Sequence, residues 1–258
     1  MGKISDFFKN TQIKQFNGLS LPSLPRQFVL KSVNDANINP HIVTYFYPKS
    51  PISEQYRRLR ENIKSLSRQK NIKAIGITSA VTEEGKSITA LNLAVIMTRD
   101  IDFNNILLID CDLRCGVVDL ALGLKSKTGL SEYLSIGTDI DNILFKTKID
   151  KLTVMPKGSI IENPSELLAS EKMQTLLAIL RKRFDLIILD TPPILPIADA
   201  GVVGAQVDGM ILVVRLGKTQ KGMVEQAEEL LVQSKVNLLG YVLTHVEYHI
   251  PEYVYKYV

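Results

Sequence analysis

A loop between a predicted strand and a predicted helix limits the folds open to this chain. Residues 80–87 read Ala-Val-Thr-Glu-Glu-Gly-Lys-Ser. This segment matches the phosphate-loop pattern G-x-x-x-x-G-K-[ST], except that alanine stands in first place. Backbone N–H groups and the helix N-terminus would cradle phosphate oxygens, the lysine would reach the β- and γ-phosphates, and the serine would ligate Mg²⁺. The residues expected to bind ATP or ADP are Ala80, Val81, Thr82, Glu83, Glu84, Gly85, Lys86, Ser87 and Ile88.

Apolar segments alternate with amphipathic ones after residue 50, which is typical of an α/β protein. Strands that are apolar throughout, separated by helices, predict a mostly parallel central sheet with helices on both faces, as in P-loop NTPases. The predicted strands are Ala74–Thr78, Ile106–Ile109, Leu152–Met155, Leu186–Leu189, Met210–Val214 and Leu239–Leu243. The predicted helices are Ile52–Arg68, Ser87–Arg99, Ser170–Arg183 and Lys218–Ser234.

Three aspartates stand at predicted strand ends, the edge where open α/β sheets bind ligands. Asp110 and Asp112 lie two residues apart, so both carboxylates point the same way if the chain stays extended. Such a pair could hold a metal ion and accept a proton. The alternative is a helix-capping aspartate beside a solvent-exposed one. Asp190 ends an apolar strand in the form of a Walker B motif, and we expect it to orient Mg²⁺ through a coordinated water.

The composition excludes several classes of protein. Of 258 residues, 45% are hydrophobic and 22% charged, which is ordinary for a globular protein. The sequence has no apolar run of the roughly 18 residues that span a bilayer, and no signal-peptide core. Two cysteines four apart do not make a disulfide scaffold, so a reducing compartment is expected. The net charge of +4 lies in residues 1–50, and a neutral remainder does not indicate nucleic-acid binding.

Composition also divides the chain into three parts. Residues 1–50 are rich in Asn, Ser, Pro and Lys and predict a flexible basic leader, whose first residues could alternatively form a membrane-touching helix. Residues 51–246 carry the regular pattern and are assigned to the P-loop domain. Residues 247–258 are predicted to form a C-terminal tail. An edge strand is the alternative, because the last tyrosines stand at every second position. The tail tyrosines are Tyr248, Tyr253, Tyr255 and Tyr257.

Together these motifs resemble those of the bacterial tyrosine kinases of polysaccharide synthesis and export. The phosphate loop, Asp-x-Asp-x-Arg at residues 110–114 and Leu-Ile-Ile-Leu-Asp-Thr-Pro-Pro at residues 186–193 carry the resemblance. Glu-x-x-Arg-x-x-Arg at residues 54–60, Asn-Pro-Ser-Glu-Leu-Leu at residues 163–168 and the tail tyrosines agree with it. The similarity runs from about Ser53 to the C-terminus and is greatest to stand-alone members, including those beside exosortase-type export systems.

The resemblance implies a function and a role for each matching residue. The function is that of an ATP-dependent protein-tyrosine autokinase, which phosphorylates its four tail tyrosines in trans and regulates exopolysaccharide synthesis. Asp110 would be the base that activates the tyrosyl hydroxyl, while Ser87, Asp112 and Asp190 would hold Mg²⁺ beside Lys86. A base is needed because tyrosine has a pKa of about 10, so only ~0.1% is ionised at pH 7.

The resemblance also implies an assembly and partners. Glu54, Arg57 and Arg60 share one stripe of a helix and would join protomers into a closed ring, with an octamer as the candidate size. An ordinary solvated charged face is the alternative. The implied partners are a separate membrane polysaccharide co-polymerase, which activates the kinase, and a phosphotyrosine phosphatase. The expected location is cytoplasmic, at the inner face of the bacterial plasma membrane through that partner.

Departures from the family pattern leave two questions and one rival function. The family usually has Pro-Gly-Glu-Gly-Lys in the loop, and here Glu83 stands in place of the first glycine. Its additional carboxylate either weakens nucleotide binding or points outward. Thr244 stands where the family often has asparagine, which leaves base recognition open. The rival is a partition or septum-positioning ATPase that acts as a nucleotide-driven switch. Val81 stands where those proteins carry a second lysine, which argues against it.

Overall fold

The computed structural model describes residues 37–246. The helices are α1 Val43–Phe46, α2 Pro51–Lys70, α3 Lys86–Thr98, α4 Val118–Ala121, α5 Leu130–Ile136, α6 Pro164–Leu168, α7 Glu171–Arg183, α8 Asp199–Gly204 and α9 Lys221–Gln233. The strands are β1 Ala74–Ser79, β2 Ile106–Asp110, β3 Phe145–Lys146, β4 Leu152–Met155, β5 Leu186–Asp190, β6 Gly209–Arg215 and β7 Leu238–Thr244. The predicted strands and long helices are confirmed to within a few residues at their ends. None of the described helices combines the length and apolarity needed to cross a membrane.

One sheet joins the described strands in the order β3-β4-β2-β5-β1-β6-β7. Neighbouring strands run parallel, except that the two-residue strand β3 pairs antiparallel with β4 at the edge. The sequence pattern missed β3 because two residues show no periodicity. Asp110 pairs in register with Asp190, and Ile77 of β1 pairs with Asp190 from the other side. This order therefore places the ends of β2, β5 and β1 next to one another.

Both faces of the sheet are covered, because successive strand residues point to opposite sides. One face packs against α2 and α3, and its buried strand residues include Ile75, Ile77, Leu108 and Ile188. The other face packs against α7 and α9, and its buried strand residues include Leu107, Ile109, Ile187, Leu189, Met210 and Leu212. The predicted fold, an α/β P-loop architecture with a mostly parallel sheet between helical layers, is confirmed.

The boundary between leader and domain requires a correction. Composition predicts a leader that ends at residue 50, but the structure places residues 37–50 in the folded body. Ile42 is fully buried, and the backbone N–H of Thr44 donates to Asn92 Oδ1 at 3.0 Å. The Asn92 amide in turn donates to the carbonyl of His41 at 3.0 Å. Helix α3 is apolar on nearly all sides, so a segment from before residue 51 is needed to cover it.

The other predictions for the termini lie outside the described residues. These are the leader up to residue 36 and the tail with its four tyrosines.

Candidate active site

The phosphate loop connects β1 to α3 at the carboxyl edge of the sheet. Gly85 is the N-cap of α3 with a φ of 91°, in the left-handed region that favours glycine. At the end of β7, Thr244 Oγ1 donates to the carbonyl oxygen of Glu84 at 2.7 Å. The Thr244 side chain therefore holds the phosphate loop, which gives a structural role to the threonine that stands where the family often has asparagine.

Glu84 is the internal brace of this loop, and its side chain is buried. Its Oε2 accepts from the backbone N–H of Val81 at 2.8 Å, which closes the loop on itself. Its Oε1 accepts from the backbone N–H of Arg215 at 3.3 Å and from the hydroxyl of Thr219. The loop is thus fixed to the turn after β6, and loop amides are held in place before any phosphate arrives.

Glu83, the departure from the family pattern, points away from the loop interior. Its φ is 63°, the left-handed conformation for which glycine would be the usual residue. The exposed carboxylate pairs with Lys218 Nζ at 3.0 Å, and this contact lowers the pKa of Glu83. Arg215 donates to the Glu83 carbonyl at 3.4 Å. Of the two possibilities left by the sequence, the outward orientation is the one found.

Lys86 occupies the centre of the site. Its Nζ lies 3.0 Å from Asp112 Oδ2 and 3.3 Å from Ser87 Oγ. Burial disfavours the charged form, but the carboxylates of Asp190 and Asp112 outweigh burial and raise the pKa of Lys86. The lysine therefore remains cationic in its buried position, as the binding of anionic phosphates requires.

Asp110 is covered by the chain that follows it. The carboxylate is fully buried, with Oδ1 accepting from the N–H of Asp112 at 3.2 Å and Oδ2 from the N–H of Val118 at 3.1 Å. A Cβ added at Gly116 would lie 2.2 Å from Oδ1, so only glycine fits there. We call residues 111–118 the Asp112 turn.

Because of the Asp112 turn, the carboxylates of Asp110 and Asp112 do not point the same way, contrary to the prediction. Strand β2 ends at Asp110 and the chain turns, so the two carboxylates meet different partners instead of pointing the same way. Burial, and then the charge of Asp190, raise the pKa of Asp110 well above its ordinary value. Its carboxylate becomes accessible only if the Asp112 turn moves. The role of Asp110 as a base stays a prediction.

Asp190 is the least satisfied polar group of the site. Both carboxylate oxygens are buried, and neither has a partner of hydrogen-bonding geometry among the described residues. Burial raises the pKa of Asp190 to about 6, although Lys86 and the nearby Ser87 hydroxyl act in the opposite direction. Buried carboxylate oxygens without donors fit a site that a cation or its coordinated water completes.

The donor set fits Mg²⁺ that arrives with a nucleotide. Residues 37–246 contain no group of three or more His, Cys, Asp or Glu side chains placed to hold a metal ion. Mg²⁺ commonly binds one or two carboxylates together with substrate phosphates. Ser87, Asp112 and Asp190 are the side chains that could hold it here, and the metal assignment stays a prediction.

Several residues at the site have no role that the sequence predicts. Arg114 belongs to the motif at residues 110–114, and its guanidinium contacts Asp199 and Ser165. Thr219 and Lys218 hold the phosphate loop from the turn after β6. Ser165 lies in the Asn-Pro-Ser-Glu-Leu-Leu motif, so the sequence could have indicated it. Asp199, Lys218 and Thr219 lie in no motif that the sequence shows.

The predicted interface residues have partners within the chain. Glu54 and Arg57 form an ion pair of 2.6 Å, and Arg57 also donates to the carbonyl of Pro48 at 2.7 Å. Arg60 lies 3.3 Å from the buried carboxylate of Asp100, and its side chain is only 17% exposed. Glu54 and Arg57 thus lie on the surface, whereas Arg60 braces the fold. The ring contact stays a prediction.

Comparison with known proteins agrees with this geometry. A protein-family model described as an AAA domain matches residues 72–235. The tyrosine-protein kinase YwqD of Bacillus subtilis is 37% identical over 214 residues, which are 83% of this chain and 90% of that protein. The crystal structure of the chimerical protein CapA2B2 is similar with a TM-score of 0.77 at 30% identity, covering 82% of this chain and 93% of that one. The kinase domain of the Escherichia coli tyrosine kinase ETK gives 0.76 at 28% identity, with 88% of each chain covered.

Proposed function

Because this chain belongs to the bacterial protein-tyrosine kinases, we propose that it transfers the γ-phosphoryl group of ATP to its own tail tyrosines. The observation that carries the proposal is the meeting of three strand ends. Lys86 lies against Asp112 on one side of the site, and the unsatisfied carboxylate of Asp190 lies beside Ser87. The similar proteins named above are tyrosine kinases, so a kinase function is better supported than that of a partition-type ATPase.

The proposed chemistry divides among these residues. Loop amides and Lys86 bind the β- and γ-phosphates and stabilise the charge that spreads over the transferred group. Mg²⁺, held by Ser87, Asp112 and Asp190, would neutralise phosphate charge when bound. The tyrosyl oxygen forms the new bond to phosphorus, the bond to the β–γ bridging oxygen breaks, and the tyrosyl proton passes to a carboxylate.

Asp110 is the proposed acceptor of that proton. Its raised pKa narrows the gap to the tyrosyl pKa of about 10 and makes it a stronger base than an exposed aspartate. Since the Asp112 turn covers the carboxylate, the turn must open before a hydroxyl can reach it. The proposal therefore includes a conformational step before transfer.

Transfer in trans is proposed from reach and charge. The tail after residue 246 spans at most ~40 Å when fully extended, so it can bridge to a neighbouring protomer of a ring. Each phosphate adds about −1.5 to −2 charges. Tails crowded around a ring would then repel one another, so phosphorylation would loosen the assembly.

The trans proposal is tested by mixing two proteins with ATP and Mg²⁺. One is full-length Lys86→Met, which carries tyrosines but no catalytic lysine; the other is active protein without residues 247–258. We expect intact mass to show phosphotyrosine on the Lys86→Met chain. The matched control is Lys182→Met, which changes an exposed lysine of α7 and should leave autophosphorylation intact. Phosphotyrosine on intact wild type but never on the Lys86→Met partner would place transfer in cis.

The ring proposal uses only the two surface residues of the motif. The double variant Glu54→Ala/Arg57→Ala should sediment as a smaller species than unphosphorylated wild type. Arg60 is left unchanged because its loss would leave the buried carboxylate of Asp100 with one cationic partner fewer. Arg58→Ala, an exposed arginine of the same helix, is the control. Equal sedimentation of all three proteins would show that the motif is a solvated face.

The physiological role and location are proposed from the family alone. We propose that the kinase regulates exopolysaccharide synthesis from the cytoplasmic face of the plasma membrane, activated by a separate membrane co-polymerase and reversed by a phosphotyrosine phosphatase. The chimerical protein CapA2B2 is among the similar solved structures. An increase in autophosphorylation on adding the cytoplasmic segment of the co-polymerase would support this, and no change would oppose it.

A further inference from the structure

A small polar cluster ties the Asp112 turn to two helices on the same side of the sheet. Arg114 Nε lies 3.3 Å from Asp199 Oδ2, and a terminal nitrogen of Arg114 donates to Ser165 Oγ at 3.4 Å. The Ser165 hydroxyl donates to Asp199 Oδ1. Ser165 belongs to α6 and Asp199 begins α8, so three segments distant in sequence meet at one point.

The cluster has a physical reason to stay closed. The carboxylate of Asp199 is fully buried, and a buried charge is tolerated only when it is paired and hydrogen-bonded. Arg114 and Ser165 supply its partners. The planar guanidinium contacts both groups at once, a geometry that a lysine ammonium does not reproduce. Arg114 is therefore held at its outer end by elements that do not belong to the phosphate loop.

The inner end of the same turn carries Asp112. Its Oδ1 accepts from the N–H of Cys115 at 2.9 Å, and its carbonyl accepts from the N–H of Gly116 at 2.7 Å. These bonds leave Oδ2 for Lys86 at 3.0 Å. Arg114 lies between Asp112 and Cys115, so displacing its side chain strains the bonds that orient the Asp112 carboxylate.

We propose that Arg114, anchored by Ser165 and Asp199, is a positioning residue that fixes the Asp112 carboxylate toward Lys86 and the transferred phosphate. The inference assigns a task to the Asn-Pro-Ser-Glu-Leu-Leu segment, namely to supply the serine that closes the anchor. Its catalytic consequence rests on the proposed kinase function. Its structural part, the ordering of the Asp112 turn, does not.

The test compares Arg114→Met, Arg114→Lys and Ser165→Ala in the full chain. Arg183→Met is the matched control, because Arg183 forms an exposed ion pair with Asp141 at 2.6 Å in another part of the molecule. In nucleotide-free protein we expect the amide of Cys115 to exchange hydrogen about tenfold faster in the three variants, which corresponds to ~1.4 kcal/mol of lost local stability. Ser165→Ala keeps the Arg114–Asp199 pair, so it serves if the arginine variants fold poorly.

The kinetic readout separates positioning from simple support of the fold. We expect the rate of autophosphorylation at saturating ATP to fall about ten- to hundredfold, as misplacement near a reacting centre does. The half-saturating ATP concentration should change by less than about threefold, because the phosphate loop is untouched. Arg114→Lys should not restore the rate, since it restores charge without the two-pronged contact.

Two results would overturn the inference. One is wild-type exchange at Cys115 in both Ser165→Ala and Arg114→Met. The other is faster exchange with an unchanged rate of transfer, which would make the cluster a structural contact only. Absence of phosphotyrosine in wild type would instead overturn the proposed function, and the exchange measurement would still decide whether the cluster orders the turn.

Discussion

Aspartates lie at both edges of the sheet, but their pKa values are shifted in opposite directions. At the amino edge, Asp208 precedes β6 and accepts the backbone N–H groups of Lys73 and Ala74 at 2.7 and 2.8 Å. Arg181 donates to both of its oxygens at 2.9 and 2.8 Å. Burial alone would raise the pKa of Asp208, but these donors outweigh burial and lower it.

At the carboxyl edge, Asp190 and Asp110 are buried in a less favourable environment than Asp208. Asp190 has two buried oxygens that find no hydrogen-bond partner among residues 37–246, and its pKa is raised to about 6. Asp110 faces Asp190 across the strand pair, and its pKa is also raised. Asp208 thus holds strands together at the amino edge. At the carboxyl edge, Asp190 and Asp110 are costly as buried charges, and a bound cation would reduce that cost.

The electrostatic state of an aspartate therefore identifies its role better than its burial does. A hydrogen-bonded carboxylate with a lowered pKa stabilises the fold. A buried carboxylate with a raised pKa and no donors is instead available to bind a ligand at a functional site. The same change of Asp to Asn at the two edges should therefore have opposite effects on stability.

The largest effect is expected at the carboxyl edge, from Asp190→Asn. Between about pH 4 and pH 6 native Asp190 keeps a proton that the unfolded chain loses, so the stability of wild type falls as pH rises through this window. The amide carries no such cost. The free energy of unfolding of nucleotide-free protein at pH 8 should rise by up to about 3 kcal/mol, because one pKa unit corresponds to about 1.4 kcal/mol.

Denaturant melts at pH 4 and pH 8 provide the measurement for Asp190→Asn. The gain should shrink toward pH 4, while autophosphorylation at saturating ATP is lost at every pH. A variant that is less stable than wild type at pH 8 would contradict the assignment of Asp190 to a reserved binding site.

A smaller effect of opposite sign is expected at the amino edge, from Asp208→Asn. The change removes charge-assisted hydrogen bonds to Arg181 and should lower the free energy of unfolding at pH 7 by about 1–2 kcal/mol. The depressed pKa of Asp208 contributes stability above its ordinary value of 3.8 that is lost as pH falls below it. The difference from wild type should therefore vanish in acid.

Activity provides the second measurement for Asp208→Asn. At pH 7 the rate of autophosphorylation per folded molecule should equal that of wild type, since Asp208 lies at the edge remote from the phosphate loop. A change in rate without a change in stability would mean that the two edges are coupled and that the comparison fails.

The smallest effect is expected from Glu83→Gly in the phosphate loop. Glycine adopts the left-handed conformation of this position without strain, so the melting temperature should rise slightly. ATP affinity should change little, because the Glu83 side chain points outward to Lys218. Glu83→Gln keeps the strain and removes the charge, so it should show no gain. If Glu83→Gly bound ATP much more tightly than wild type, the carboxylate would belong to the site after all.

Local pattern was enough to predict the elements that carry the site. The phosphate loop is contiguous, so Lys86, Ser87 and Gly85 follow from spacing alone. Apolar runs ending in aspartate located β2 and β5 because buried parallel strands have no polar face. Residues 37–50 carry no periodicity and are ordered by long-range contacts with α2, α3 and Ala121, so local pattern could not locate the leader boundary.

Long-range pairing explains what local pattern could not give. The oxygens of Glu84 find Arg215 and Thr219 more than 130 residues away, and Arg114 finds Asp199 at a separation of 85. Such contacts depend on strand order, and many strand orders are compatible with the same alternation of helices and strands.

The amino-acid sequence alone identifies an α/β phosphate-loop protein with a lysine, a serine and three aspartates at or just after strand ends. Short-range periodicity and contiguous motifs encode that much. The role of each group follows from the folded structure and not from the local pattern. In the folded chain Glu83 points outward, Asp110 is buried beneath the Asp112 turn, and Asp190 meets no hydrogen-bond donor in the part of the chain that the structure describes. The physical reason is that burial and hydrogen-bond partners, which set the charge state of a carboxylate, come from residues brought together only by folding.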